Sequence, residues 1–221
     1  MERDVRSFDA VLRDVLARYP SARGGEPFGT SSTFWPLVGE LKAALEGVPC
    51  LAQSKRTKVK VSFGQGGWAE VPNFAIMDTR ETERPSAGIY MVYLMPADAG
   101  GLILSLNQGS ADLILEARGR VYDVLAARAE RVRAALQLQP LSDAGFTAAV
   151  PDLRSAGQYP RAYSAGSIVA KTYPAKEIPG AEVLAADLAV LHRAYTSVVP
   201  SSRLRLHELS RGGPAARLVG R

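Results

Sequence analysis

The stretch Lys58-Val59-Lys60-Val61-Ser62-Phe63-Gly64-Gln65-Gly66-Gly67-Trp68-Ala69-Glu70-Val71-Pro72-Asn73-Phe74-Ala75-Ile76-Met77 decides the fold. Val59, Val61 and Phe63 alternate with Lys58, Lys60 and Ser62, the period of a strand buried on one face. Three glycines break the alternation. Residues 71–77 then make a second strand that begins beside Pro72. Two strands joined by a glycine-rich loop follow from this pattern.

Working outward, residues 78–87 are polar and charged and read as a loop. Gly88-Ile89-Tyr90-Met91-Val92-Tyr93-Leu94-Met95 is an unbroken apolar run, the signature of a central strand. Ala99-Gly100-Gly101 is a turn, and Leu102 to Leu106 is the next strand, ending at Asn107-Gln108-Gly109. Upstream, Phe8, Val11, Leu12, Val15, Leu16 and Tyr19 recur at helical spacing over 8–19, with Ser7 as N-cap, and Gly24-Gly25 and Pro27 break the chain. A second helix fits 33–46. Residues 111–137 read as one helix, 167–173 as a short strand and 180–198 as a final helix. Helices, a run of strands, then helices with a short strand indicate an α+β fold, with a mixed, mainly antiparallel curved sheet flanked by helices. The expected organisation is a single domain over 1–199 and a basic linker or disordered tail over 200–221.

Composition narrows the function classes. The chain has 221 residues, of which 47% are hydrophobic, enough for a core without covalent staples. The single cysteine, Cys50, forbids an intrachain disulfide and fits a reducing compartment. There is no signal-like start and no apolar run approaching the ~20 residues of a membrane span. A soluble, cytoplasmic protein with no membrane partner is therefore expected. The net charge of +5 is concentrated. Lys55, Arg56, Lys58 and Lys60 fall within residues 54–60 without an acidic neighbour, and the tail after Pro200 has five arginines against one glutamate. Such a balance permits phosphate contacts.

The tools of catalysis are missing from the pattern. His192 and His207 have no partner at metal-ligand spacing, and there is no phosphate-binding loop of the Gly-x-x-x-x-Gly-Lys type. Glu40-Leu41-Lys42 has the local look of a nuclease pair, but it lies on the 33–46 helix without a suitable preceding aspartate. No metal and no cofactor is expected, and an unrecognised hydrolase site is the weakest of the readings. The glycine loop is open to two. Glycines allow close approach of backbone to another surface, and with the upstream cations and Trp68 they suit a loop entering a DNA groove. The plainer alternative is a hairpin whose tryptophan caps the core.

The order of motifs resembles the N-terminal DNA-binding domain of the McrB subunit of McrBC-type, modification-dependent restriction systems. The carriers are Ser62-Phe63-Gly64-Gln65-Gly66, Val71-Pro72, Gly88-Ile89-Tyr90, Leu104-Ser105-Leu106-Asn107-Gln108-Gly109 and Tyr159-Pro160-Arg161-Ala162-Tyr163, over roughly 8–198. The resemblance implies a specificity module, not an enzyme, that binds double-stranded DNA and flips a modified cytosine such as 5-methylcytosine into an aromatic pocket. A motor or nuclease would lie on another domain or subunit. By the same resemblance Tyr90, Leu94, Tyr163 and Asn73 form the base pocket. Gln65, Gly66, Gly67 and Trp68 form the insertion loop, with Lys55, Arg56, Lys58 and Lys60 on phosphates. Gln65 stands where the family has an aromatic intercalator and Asn73 where it has a tryptophan, which implies a different or bulkier ligand. The resemblance further implies that Tyr90→Ala abolishes discrimination and leaves the fold intact. A protein-interaction or sensor domain of a defence complex, without DNA binding, is the alternative.

Overall fold

All six residues of Ile89–Leu94 are buried, as an uninterrupted apolar strand requires: both of its faces are covered. Around it the computed structural model describes residues 6–116 and 120–210. Helices α1 (Phe8–Gly25), α2 (Pro36–Glu46) and α3 (Pro49–Ala52) precede strands β1 (Thr57–Gly64), β2 (Trp68–Asp78), β3 (Ile89–Leu94) and β4 (Gly101–Gln108). Helices α4 (Ala111–Glu116), α5 (Val121–Arg133), α6 (Leu138–Asp143) and α7 (Gln158–Gly166) follow. Strand β5 (Val169–Pro174) and helix α8 (Ala181–Ser210) complete the order.

The α+β fold is as the sequence indicates: one five-stranded sheet in the order β1-β2-β3-β4-β5, flanked by helices. Every pairing is antiparallel, so the sheet is not mixed. Pro72, which lacks an N–H, falls where β1 shifts register between Ser62 and Gly64 and just before the first β2–β3 pair, Asn73↔Leu94. A proline inside a sheet is tolerated at such an irregularity because no ladder bond is lost there.

The two sheet faces carry different cores. Phe63, Phe74, Ile76, Met91, Tyr93 and Leu104 face the main core, to which α1, α2 and α8 contribute Leu12, Val15, Leu41, Leu184 and Leu188. Val71, Ala75, Met77, Tyr90, Val92, Leu94 and Ile103 form a second cluster on the opposite face, covered by Leu153 and by Tyr163 from α7. Helix α8 is tied across the first face by Tyr195, whose hydroxyl donates to the Ile89 carbonyl at 2.8 Å and accepts from the Asp78 N–H at 3.0 Å. Asp187 on the same helix accepts from Lys171 at 2.7 Å and from the Tyr173 hydroxyl at 2.9 Å.

Three expectations change. The helix expected over 111–137 is two helices among the described residues, α4 ending at Glu116 and α5 running from Val121 to Arg133, with Arg120 non-helical before the second. The first helix continues through Pro20 to Gly25. The last helix, expected to end at 198, continues to Ser210, so the start of the expected tail is helical backbone; residues 211–221 lie outside the described residues.

Candidate functional site

The loop between β1 and β2 owes its shape to two glycines. Gly64 has φ +136° and Gly66 φ +72°, in the region that side chains disfavour. A Cβ on Gly64 would lie 1.8 Å from the Gly67 carbonyl oxygen, so no other residue fits the turn. Gln65, Gly66 and Gly67 form its exposed tip, and a Cβ on Gly67 would meet nothing.

Trp68 belongs to the base of the loop, as the first residue of β2, and not to its tip. Its Nε1 donates to the Glu26 carbonyl at 2.9 Å, and its ring contacts Tyr19, Phe28, Phe34 and Trp35 at centroid distances of 5.7, 5.2, 5.7 and 6.1 Å. The Tyr19 hydroxyl donates to the Ala69 carbonyl, and burial pushes the Tyr19 phenol up to about 12, so it stays a donor at neutral pH. Glu26 accepts from Ser32 Oγ at 2.6 Å and Thr33 Oγ1 at 2.8 Å, bonds that hold its carboxyl below the usual range. The loop thus stands on a clamp made by the α1–α2 connection. An aromatic held by four ring neighbours and a hydrogen bond is an anchor, which is why Trp68 does not share the exposure of Gln65.

Beside the loop lies a cavity of about 440 Å³. Gln65, Glu70 and Asn73 line it from the hairpin; Gln158, Tyr159 and Tyr163 line it from α7. A second hollow of about 180 Å³ shares Ser62, Asn73, Tyr159 and Tyr163 with the first and adds Lys60 and Ser110. Helix α7 is set over the sheet by buried polar groups at the end of β4. Asn107 Nδ2 donates to the Tyr163 carbonyl at 2.9 Å, and Gln108 Nε2 donates to the Leu125 carbonyl at 3.0 Å and the Gly166 carbonyl at 3.3 Å. Close approach needs glycine here: a Cβ on Gly166 would lie 2.7 Å from Asn107 Oδ1, and one on Gly109 would lie 2.2 Å from the Ala87 nitrogen.

Of the four residues expected to form a pocket, Asn73, Tyr90 and Leu94 share one sheet face and Tyr163 packs over it from α7, but the four do not share one lining. Asn73 and Tyr163 line both hollows. Tyr90 and Leu94 lie in the buried cluster against which Tyr163 packs, and line neither. Tyr90 is 1% exposed, so Tyr90→Ala removes core packing, and the expectation that it spares the fold is corrected on that ground. Its hydroxyl has no hydrogen-bond partner among the described residues. Burial, and then the neighbouring Tyr163, push its phenol well above the ordinary range. Burial and the nearby Tyr159 raise Tyr163 likewise.

Lys55, Arg56, Lys58 and Lys60 are all exposed. Cross-strand pairs share a face, and Ser62↔Asn73, Lys60↔Ala75 and Lys58↔Met77 put two of these cations on the cavity's side of the sheet. Lys58 also pairs with Glu83 at 3.5 Å. Glu40 and Lys42 are ion-paired helix residues, with Arg6 at 3.2 Å and Glu46 at 3.4 Å. Among the described residues no group of three His, Cys, Asp or Glu could hold a metal ion, and no helix is long and apolar enough to cross a membrane.

Sequence reasoning passed over Tyr159 and Glu70. Tyr159 is 56% exposed at the rim of both hollows. Its signal was present: Tyr159 and Tyr163 are four apart, so a helix puts them on one face. Glu70 carried none, because an acidic residue beside a basic stretch reads as solvated surface.

In a comparison with protein-family models, the one described as MrcB-like, N-terminal domain matches residues 14–200. No curated protein and no solved structure matches the chain.

Proposed function

The chain belongs to the family of MrcB-like N-terminal domains, and from that premise we propose that it recognises a modified cytosine in double-stranded DNA by taking the base out of the stack into the cavity beside the β1–β2 loop. The family is consistent with a DNA-binding specificity module. The observation that carries the finer reading is the placement of the exposed tip Gln65–Gly67 next to a hollow of about 440 Å³ rimmed by Tyr159 and Tyr163. That volume is in the range of small-ligand sites.

The loop and the hollow divide the work. Extruding a base costs a few kcal/mol, and stacking on an aromatic returns ~1–3 kcal/mol per base. Tyr159 and Tyr163 supply the aromatic surface. Gln65 at the tip fills the gap in the duplex by hydrogen bonding to the orphaned partner base, which its amide does with both a donor and an acceptor. Tyr90 and Leu94 act from below, as the packed floor that fixes Tyr163. Lys55, Arg56, Lys58 and Lys60 hold phosphates. The module carries no catalytic step of its own; a nuclease or nucleotide-driven motor acts from another domain or subunit, in the cytoplasm.

Fluorescence anisotropy across duplexes that differ only in one cytosine modification, with 2-aminopurine beside that base, tests the reading. The expected result is tighter binding to one modification and a fluorescence rise on binding, with log K falling against log salt by about 0.9 per phosphate contact. Equal binding to all duplexes, without a fluorescence rise, overturns it.

A further inference from the structure

Resting on the base-capture reading above, we propose that the Glu70 carboxylate reads the exocyclic amino group of the captured base, so that the site takes amino-bearing bases and rejects those with a carbonyl at that position. Glu70 is the only charged residue among those lining the main cavity. It is exposed, and no described residue forms an ion pair or hydrogen bond with it. Its Oε2 is accommodated by the absence of a side chain across the cavity: a Cβ on Gly157 would lie 2.9 Å away.

A carboxylate on a surface that meets phosphates opposes binding, because it repels the backbone that the lysines attract. That cost is offset where its oxygens meet donors. An ionised carboxylate only accepts hydrogen bonds, and the amino group of cytosine is a donor that carboxylates accept from. The other polar groups around the cavity discriminate less. Gln65, Asn73 and Gln158 each offer an amide that donates or accepts, and Ser62, Tyr159 and Tyr163 offer hydroxyls that do both. Among these side chains Glu70 alone has a fixed polarity, so of them it alone separates an amino edge from a carbonyl edge. A carbonyl set against it leaves two acceptors facing each other without a proton between them, which costs more than the bond gains.

The test uses 5-methylcytosine and thymine, which share ring, size and methyl group and differ at the Watson–Crick edge. Each is placed opposite an abasic site in the same duplex, so that neither loses a base pair on extrusion, with 2-aminopurine as its neighbour. The unaltered chain is expected to prefer 5-methylcytosine by about tenfold or more, the scale of one hydrogen bond to a charged group. Glu70→Gln, whose amide can turn either way, is expected to bring the ratio within about twofold, chiefly by tighter binding to the thymine duplex, with an unchanged melting temperature. Equal binding of the two duplexes by the unaltered chain, or an undiminished ratio in Glu70→Gln, overturns the assignment. If either result comes with a 2-aminopurine rise, base capture stands and only the role of Glu70 fails. If no duplex gives a rise, base capture itself fails and takes this assignment with it.

Discussion

Replacing Trp68 with alanine separates an anchor from an intercalator. The substitution removes four ring contacts, to Tyr19, Phe28, Phe34 and Trp35, and the hydrogen bond to the Glu26 carbonyl. Truncating a fully buried large aromatic costs about 3–5 kcal/mol. Trp68 is half-buried, so the packing loss is smaller, and the lost hydrogen bond adds about 1 kcal/mol; about 2–4 kcal/mol in all is expected. With a urea m-value of about 2–3 kcal/mol/M for a chain of this size, the midpoint falls by roughly 0.7–2 M. Trp68→Phe keeps one six-membered ring but loses the N–H and the indole's second ring, so its expected cost is about 1–2 kcal/mol, less than that of alanine. Far-UV circular dichroism is the right probe, since indole fluorescence changes with the substitution. A Trp68→Ala midpoint equal to that of the unaltered chain, with DNA binding lost, would refute the anchor and put the indole at the tip with Gln65.

Gly64→Ala is expected to destabilise by about 1–3 kcal/mol, the range for a disfavoured backbone conformation, because of its φ and the Gly67 carbonyl in its way, whereas Gly67→Ala leaves the urea midpoint unchanged. Equal midpoints for the two variants would show that the loop is not built as described. Tyr90→Phe deletes a buried hydroxyl without a partner among the described residues, so stability stays level or rises by up to about 1–3 kcal/mol; a loss of that size in thermal unfolding would reveal a hidden partner. Stability is expected to fall above pH 10. Burial raises the folded-state phenols of Tyr19, Tyr90, Tyr93, Tyr163, Tyr173 and Tyr195. Between the unfolded value near 10 and the raised folded value, only the unfolded chain ionises. Stability is therefore full below about pH 10 and drops by about 1.4 kcal/mol per pH unit for each such tyrosine. A flat urea midpoint between pH 9 and 11 would contradict the burial.

The sheet was legible because its alternation and its glycines are local. Val59, Val61 and Phe63 face the main core as their spacing requires, and the all-apolar β3 run sits at the centre. The site was less legible because its parts come from segments far apart in sequence. Tyr90 and Leu94 share a sheet face with Asn73, which period two foretells, but only the position of α7 decides which of them meets the hollow. That position depends on Asn107 and Gln108 reaching carbonyls of residues 163, 125 and 166, contacts no local pattern encodes. Trp68 followed the same rule: adjacency to the loop suggested the tip, and the distant Glu26 and Phe28 hold it at the base. The antiparallel pairing of β4 with β5 spans four helices and was likewise out of local reach.

The position of β1 at the border of the sheet gives its lysines a second duty. A border strand offers unpaired backbone groups to any other extended chain, and charged side chains along it discourage such pairing. Lys58 and Lys60 are exposed on that strand, and the kink between Ser62 and Gly64 spoils its straightness further on. Charges in that position oppose one copy of the protein adding its sheet to the next. Neutralising them exposes the border to self-association at high concentration, so sedimentation of a Lys58/Lys60 double variant is expected to report assembly that has nothing to do with DNA.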